Sequence, residues 1–458
     1  MPTGLPLLSA RSRFSEVATS ALGGLLGGLA GAVLVIGVTE VLKAMLALVS
    51  RQNTWVLIVV PLLGLGVSVL VLYGFGLSGA AQTGLPQAAT PPQRSRWART
   101  WRAFPPGLAR SDITADLVTF AGEENRFPWR LAPIRLVAIA ATVGLGAPMG
   151  TEAPAAYLGV AVGAALGDRG CWWRRLLRPA AVAGGAAGVA ALMGIAPVGT
   201  AFILEMGRRR NAPLSAGRVT AALVGGIVGW LMNVALGVDL IRLVVPKENP
   251  HSFAQAVIAA LFIGVLSGSI TSLTGAAIYR AKAWEANPRT RLALGGLALG
   301  IAAVTLVLIA GPSAAVGPGG GAIIWVENTH PAVHTVLAVA LLRAVATTAA
   351  GATGGCGGVF VPFLAVGDLA GRVFAPGLGL SGDLAGSAGA ASGIAGGYRL
   401  PFTAVALVLG QGGPHLATLT CLAAVAVATL AGAGARSALG YFCRIAHAPP
   451  IDERVHQL

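Results

Sequence analysis

Long apolar stretches, each close to the length of a membrane span and separated by short hydrophilic gaps, leave this chain few ways to fold. Segments 18–49, 55–77, 219–236, 254–273, 292–310 and 333–350 carry almost no charge. A helix needs roughly 20 apolar residues to cross the hydrocarbon core of a bilayer. Inside that core every backbone N–H and C=O must be paired, which a helix does within its own segment. Only 11% of the 458 residues are charged, against about 25% in a typical soluble domain. Too little polar surface exists to meet water on all sides. The sequence therefore predicts an all-α polytopic membrane protein filling nearly the whole chain.

A net charge of +15 would ordinarily suggest nucleic acid, but its distribution argues otherwise. The basic residues gather in the gaps: Arg94, Arg96, Arg99 and Arg102; Arg174, Arg175 and Arg178; Arg208, Arg209 and Arg210; Arg280, Lys282, Arg289 and Arg291. Such clusters read as cytoplasmic loops between spans, and Arg11 and Arg13 place the N-terminus on the same side. No nucleic-acid partner is expected. The first span lacks a small-residue cleavage site and is expected to be retained. Cys171, Cys356, Cys421 and Cys443 show no paired metal spacing and read as small packing residues. His330 and His334 flank Pro331 and lack the glutamate of a His-Glu-x-x-His zinc site. Neither a metal nor a cofactor is expected, and no phosphate-binding loop of the Walker type is present.

Glycine is abundant, at 65 residues, and part of it is arranged in a repeat. One copy reads Gly150-Thr151-Glu152-Ala153-Pro154, then Gly159 and Gly163. The other reads Gly358-Val359-Phe360-Val361-Pro362, then Gly367 and Gly371. All four landmarks share one offset of 208 residues. A second pair, Ala196-Pro197-Val198-Gly199-Thr200-Ala201 and Leu400-Pro401-Phe402-Thr403-Ala404, follows at an offset near 204. Two related halves are implied, and paired Gly/Pro-interrupted apolar segments point to the substrate site of a transporter. Proline suits a first helical turn, where its missing N–H has no partner to lose. Each motif thus reads as a loop entering a helix that begins at its proline. The unpaired amides of a helix start carry about half a positive charge. Two such starts facing each other would hold an anion without a buried Lys or Arg.

At these residues the chain resembles the CLC family of chloride channels and chloride/proton exchangers. Gly358-Val359-Phe360-Val361-Pro362 is similar to that family's G-x-F-x-P motif. Gly150-Thr151-Glu152-Ala153-Pro154 resembles G-[KR]-E-G-P, and Gln82-Thr83-Gly84-Leu85-Pro86 resembles G-S-G-I-P. Further runs agree in order: Gly317-Pro318-Gly319-Gly320-Gly321; Leu342-Arg343-Ala344 ahead of Thr347-Thr348; Arg399-Leu400-Pro401; and Ala428-Thr429-Leu430 before Tyr441. Three departures stand out. Thr151 replaces a basic residue, Ala153 a glycine, and Gly410 a glutamate.

The resemblance implies a CLC-type fold, with two inverted-topology halves whose broken helices meet at a mid-membrane anion site. Its transport domain would cover residues 17–444, the halves about 17–240 and 250–444. A cytoplasmic segment, 1–16, would precede it and a short tail, 445–458, follow it. Glu152 would be the gating and proton-accepting glutamate, and Glu205 the internal proton relay. Thr83, Gly84, Val359, Phe360 and Tyr441 would surround the anion, framed by Gly150, Pro154, Gly358 and Pro362. Read from the residues alone, Glu152 is also a plain helix cap. Glu205 is also a membrane-edge partner of Arg208 or Arg209, and Tyr441 an interfacial aromatic. The expected activity is exchange of chloride, or a similar small anion, for protons. The expected setting is a lipid-embedded homodimer in the plasma (inner) membrane. A passive channel on the same fold is the main alternative. A membrane-embedded enzyme and a solute transporter of another inverted-repeat fold are weaker ones.

Overall fold

A computed structural model describes residues 10–74, 113, 117, 127, 129–169, 179–209, 212–238, 252–284, 286–412 and 419–446. Among these the chain is helical. The first half holds α1 (Ala10–Ser50), α2 (Thr54–Gly74), α3 (Ala132–Ile139), α4 (Glu152–Arg169), α5 (Ala180–Met193), α6 (Ala196–Arg208) and α7 (Ala216–Ala235). The second half holds α8 (Phe253–Ala283), α9 (Pro288–Ala310), the single turn α10 (Pro312–Ala315), α11 (Gly320–Thr329), α12 (Val333–Thr353), α13 (Phe360–Leu378), α14 (Gly382–Gly393), α15 (Pro401–Gly412) and α16 (Leu419–Ala446). Eight described helices are long and apolar enough to cross a membrane, and α4, α5 and α15 are shorter apolar helices. The expected all-α, multi-span architecture is therefore the observed one. The chain is an integral multi-pass membrane protein.

Each half is built around a helix made almost wholly of small residues. In the first half it is α5, AAVAGGAAGVAALM, packed against α1, α4 and α7. In the second it is α14, GDLAGSAGAASG, packed against α8, α13 and α16. Lipid is as apolar as Leu, so helices here associate by close van der Waals fit, which small residues permit. The repeat glycines supply that fit. A Cβ on Gly159 would lie 2.1 Å from the Gly184 carbonyl oxygen, and one on Gly163 2.1 Å from that of Ala180. Their counterparts do the same on α14: Gly367 would meet the Gly389 oxygen at 2.4 Å, and Gly371 that of Ala385 at 2.1 Å. The four glycines spaced as two Gly-x-x-x-Gly pairs are thus two equivalent helix seams.

Two arginines inside this frame pair across elements. The buried Arg343 of α12 donates to the carbonyls of Ala314, Ala315 and Gly317, at 3.3, 3.2 and 2.6 Å, and so fixes the irregular stretch between α10 and α11. Arg372 of α13 binds Asp368 at 2.9 Å, Glu327 of α11 at 2.7 Å and Asp383 of α14 at 3.6 Å. His330 ends α11 in a left-handed conformation, φ 46°. It leads through Pro331 into α12, as a loop. Among the described residues no group of His, Cys, Asp and Glu is placed to hold a metal.

Candidate functional site: two helix starts joined at the centre

The two copies of the repeat meet directly. The Gly150 N–H donates to the Gly358 oxygen at 2.7 Å, and the Gly358 N–H to the Gly150 oxygen at 2.8 Å. A second tie, Cys356 N to Thr142 Oγ1 at 3.1 Å, joins the same two segments. From this bridge α4 and α13 depart, and both begin two residues earlier than their prolines. The expectation of a start at each proline needs that correction. The physical reason is that the first four N–H groups of a helix have no internal partner, so Pro154 and Pro362 fit equally well at the third position. The shift matters, because it brings Glu152 and Phe360 into the first turns.

Glu152 is 3% exposed. Its Oε1 accepts from Thr151 Oγ1 at 3.3 Å, while Oε2 has no hydrogen-bond partner of normal geometry. Backbone amides of Glu152, Val361 and Thr151 lie about the carboxylate. Val361 is the second residue of α13, so one of its free amides serves a group from α4. The carboxylate sits where two positive helix ends converge. Gly150 leaves room for it: a Cβ there would stand 2.2 Å from Oε2. Val359 and Phe360 are buried at the start of α13, with the first helical bond running from Phe363 N to the Val359 oxygen at 3.1 Å.

Glu205 is buried too, and its partners come from the far half. Phe402 N donates to Oε1 at 2.9 Å, Thr403 N to Oε2 at 2.9 Å and Thr403 Oγ1 to Oε2 at 2.6 Å. The carboxylate caps α15, satisfying amides that a helix start leaves open. It also lines a groove of about 490 Å³ with Pro197, Thr200, Arg208 and Phe402.

Tyr441 is 59% exposed near the end of α16. Thr83 and Gly84 lie outside the described residues. The departure at Gly410 has a packing cause, since a Cβ there would meet Ile195 Cγ2 at 2.6 Å.

Two residues that sequence reasoning passed over belong to this centre. Thr403 anchors Glu205, and its place beside Pro401 in the second repeat pair was a usable signal. Tyr398 is buried against the rings of Phe202, Phe360 and Phe363. No local pattern marks it.

Comparisons with known proteins bear on the family and the fold. A family model described as voltage gated chloride channel matches residues 97–433. The H(+)/Cl(−) exchange transporter ClcA of Yersinia pestis is 25% identical over 324 residues, covering 66% of this chain and 66% of its own length. The protein of the same name from Vibrio parahaemolyticus is 28% identical, covering 66% and 68%. The match thus spans just under two thirds of the Yersinia relative. Among solved structures, a slow cyanobacterial Cl−/H+ antiporter superposes with a TM-score of 0.70 at 19% identity, over 92% of this chain and 95% of that one. A CLC-type fluoride/proton antiporter gives 0.67 at 21%, over 93% and 97%. These last two likenesses concern the fold.

Proposed function

The chain belongs to the voltage-gated chloride channel (CLC) family, and on that premise we propose that it exchanges chloride, or a similar small anion, for protons. One observation carries this reading. The Glu152 carboxylate occupies the convergence of two helix starts, the position an anion would take. Carboxylate and anion then compete for one set of amides. An anion can occupy the site when the carboxylate leaves, and a carboxylate leaving an amide cradle for apolar surroundings favours taking a proton. Anion entry and proton uptake become one event, which a passive pore does not require. The names of the curated relatives, which are exchange transporters, support the same choice.

Glu205 would pass protons on the inner side. Its carboxylate lines a groove and accepts one bond on Oε1 and two on Oε2 from α15, which leaves a lone pair of Oε1 to take a proton. Val359 and Phe360 would contribute to the anion site through the start of α13, with Gly150, Pro154, Gly358 and Pro362 shaping the two loops. Thr83 and Gly84 retain the role that the resemblance implies. Tyr441 is assigned there on resemblance alone, and its exposure favours the interfacial role. The arginine-rich gaps support an N-terminus in the cytoplasm, and the plasma (inner) membrane is the expected setting. A homodimer with one transport route per subunit follows from the family.

Reconstituted vesicles test the proposal. A chloride gradient should drive protons uphill through the wild type. Glu152→Gln should retain anion flux and lose proton movement, and Glu205→Gln should lose proton movement while anions still cross. Anion flux with no proton movement in the wild type would replace the exchanger by a channel.

A further inference from the structure

Four buried rings separate the groove beside Glu205 from the helix starts beside Glu152. Phe202 lies on α6, three residues before Glu205, and Phe360 is the first residue of α13. Their centroids are 6.0 Å apart at 66°. Tyr398, 4% exposed, contacts both, at 6.4 Å and 5.8 Å, and also Phe363 at 6.1 Å. Arg209, just beyond α6, lies over the Tyr398 ring, its Cζ 4.9 Å from the centroid. A hydrated anion cannot pass through rings packed in this way.

Three features single out Tyr398 as the ring that moves. The three phenylalanines are on α-helices, but Tyr398 ends a π-helical turn, Ile394–Tyr398, a local form that recurs at functional sites. Arg399, which follows it, holds a left-handed φ of 62°, a conformation few non-glycine residues adopt. Finally, the ring is held by a cation, which an anion can recruit. A guanidinium meets an anion as charge on charge, with directed N–H bonds, whereas it meets the ring through a quadrupole only. The preceding segment stays in place meanwhile, since Arg436 of α16 donates to the carbonyls of Gly396 and Gly397.

We propose that Tyr398 is the inner gate of the anion route, with Arg209 as its anion-sensitive latch. An anion reaching Arg209 draws the guanidinium from the ring, the ring leaves Phe360, and the way to the start of α13 opens. Without an anion the ring stays shut, and anions do not leak past while Glu205 handles protons. The inference rests on the exchange reading above.

The test uses the full-length protein in vesicles, with chloride as the probe. Tyr398→Ala should raise chloride flux and lower the number of protons moved per chloride. Tyr398→Phe keeps the ring and should restore both values towards wild type. Arg209→Gln should raise the apparent KM for chloride on the Arg209 side with kcat little changed, and Arg209→Lys should partly reverse it. Tyr398→Ala that folds, by an unchanged gel-filtration profile and melting curve, and transports with wild-type flux and stoichiometry would overturn the gate. An unchanged KM in Arg209→Gln would overturn the latch. If Tyr398→Ala does not fold, Tyr398→Leu serves the same comparison. A wild type that moves no anion would instead overturn the exchange reading.

Discussion

Replacing Gly150 by alanine should drive the Glu152 carboxylate out of its seat. The added Cβ would lie 2.2 Å from Oε2 and 3.2 Å from the carboxyl carbon, whereas ordinary contact begins at 3.4 Å. Relief requires Oε2 to move about 1.2 Å, from 2.2 to 3.4 Å. Residue 150 cannot easily give way, because hydrogen bonds of 2.7 and 2.8 Å clamp it to Gly358. The carboxylate is held less firmly: its side-chain bond, from Thr151 Oγ1 to Oε1, is 3.3 Å long, and Oε2 has no hydrogen bond of normal geometry. Overpacking of this kind costs about 1–3 kcal/mol. At about 1.4 kcal/mol per factor of ten, the ratio of seated to displaced carboxylate falls roughly 5-fold to 140-fold. Chloride efflux and proton uptake, measured together in vesicles, report that ratio. Faster anion flux with fewer protons per anion is expected, approaching the behaviour of Glu152→Gln. Gly358→Ala offers a milder comparison, since its Cβ meets Ala153 and the Gly150 oxygen at 3.1–3.2 Å. A Gly150→Ala protein that melts as the wild type does, with unchanged flux and stoichiometry, would refute the view that the carboxylate fills the anion position.

Other substitutions probe the surrounding frame. Thr403→Val removes the 2.6 Å bond to Glu205. A bond to a charged group contributes about 1.5–3 kcal/mol, so a lower melting temperature and slower proton transfer are expected, with anion binding retained. Arg372→Met strands the buried Asp368 among other carboxylates. Breaking one partner of a buried pair costs about 3–5 kcal/mol, visible as a large drop in thermal stability in detergent. Gly410→Glu restores the acid usual in the family, but places its Cβ 2.6 Å from Ile195. Destabilisation of about 1–3 kcal/mol is expected, and an added Ile195→Ala should recover part of it.

Much of this architecture could be read in the chain because its causes are local or periodic. Apolar length gave α1, α2, α7, α8, α9 and α12 within a few residues or, for α1 and α8, with polar ends that extend past the apolar run. The repeat at Gly150 and Gly358 became a physical bridge, and Gly159/Gly163 with Gly367/Gly371 became helix seams. What escaped depends on contacts between distant segments. Glu205 meets partners 197 and 198 residues away, so no spacing rule distinguishes a cap on α15 from an ion pair with its own neighbours. Tyr398 acquires its ring partners only when α6, α13 and the end of α14 converge.

The glycine seams have a mechanical consequence. Where one backbone rests on another there is no layer of side chains to compress or slide, so each half behaves as a stiff block. The bridge at Gly150 and Gly358 welds the two blocks at their midpoint. Such a frame is poorly suited to rocking one half against the other. Compliance is left to parts that hang inside it, chiefly one carboxylate and one ring. A cycle run by side-chain swings alone should give nearly the same distances between spin labels on α5 and α14 at every stage of transport, however fast the ions move.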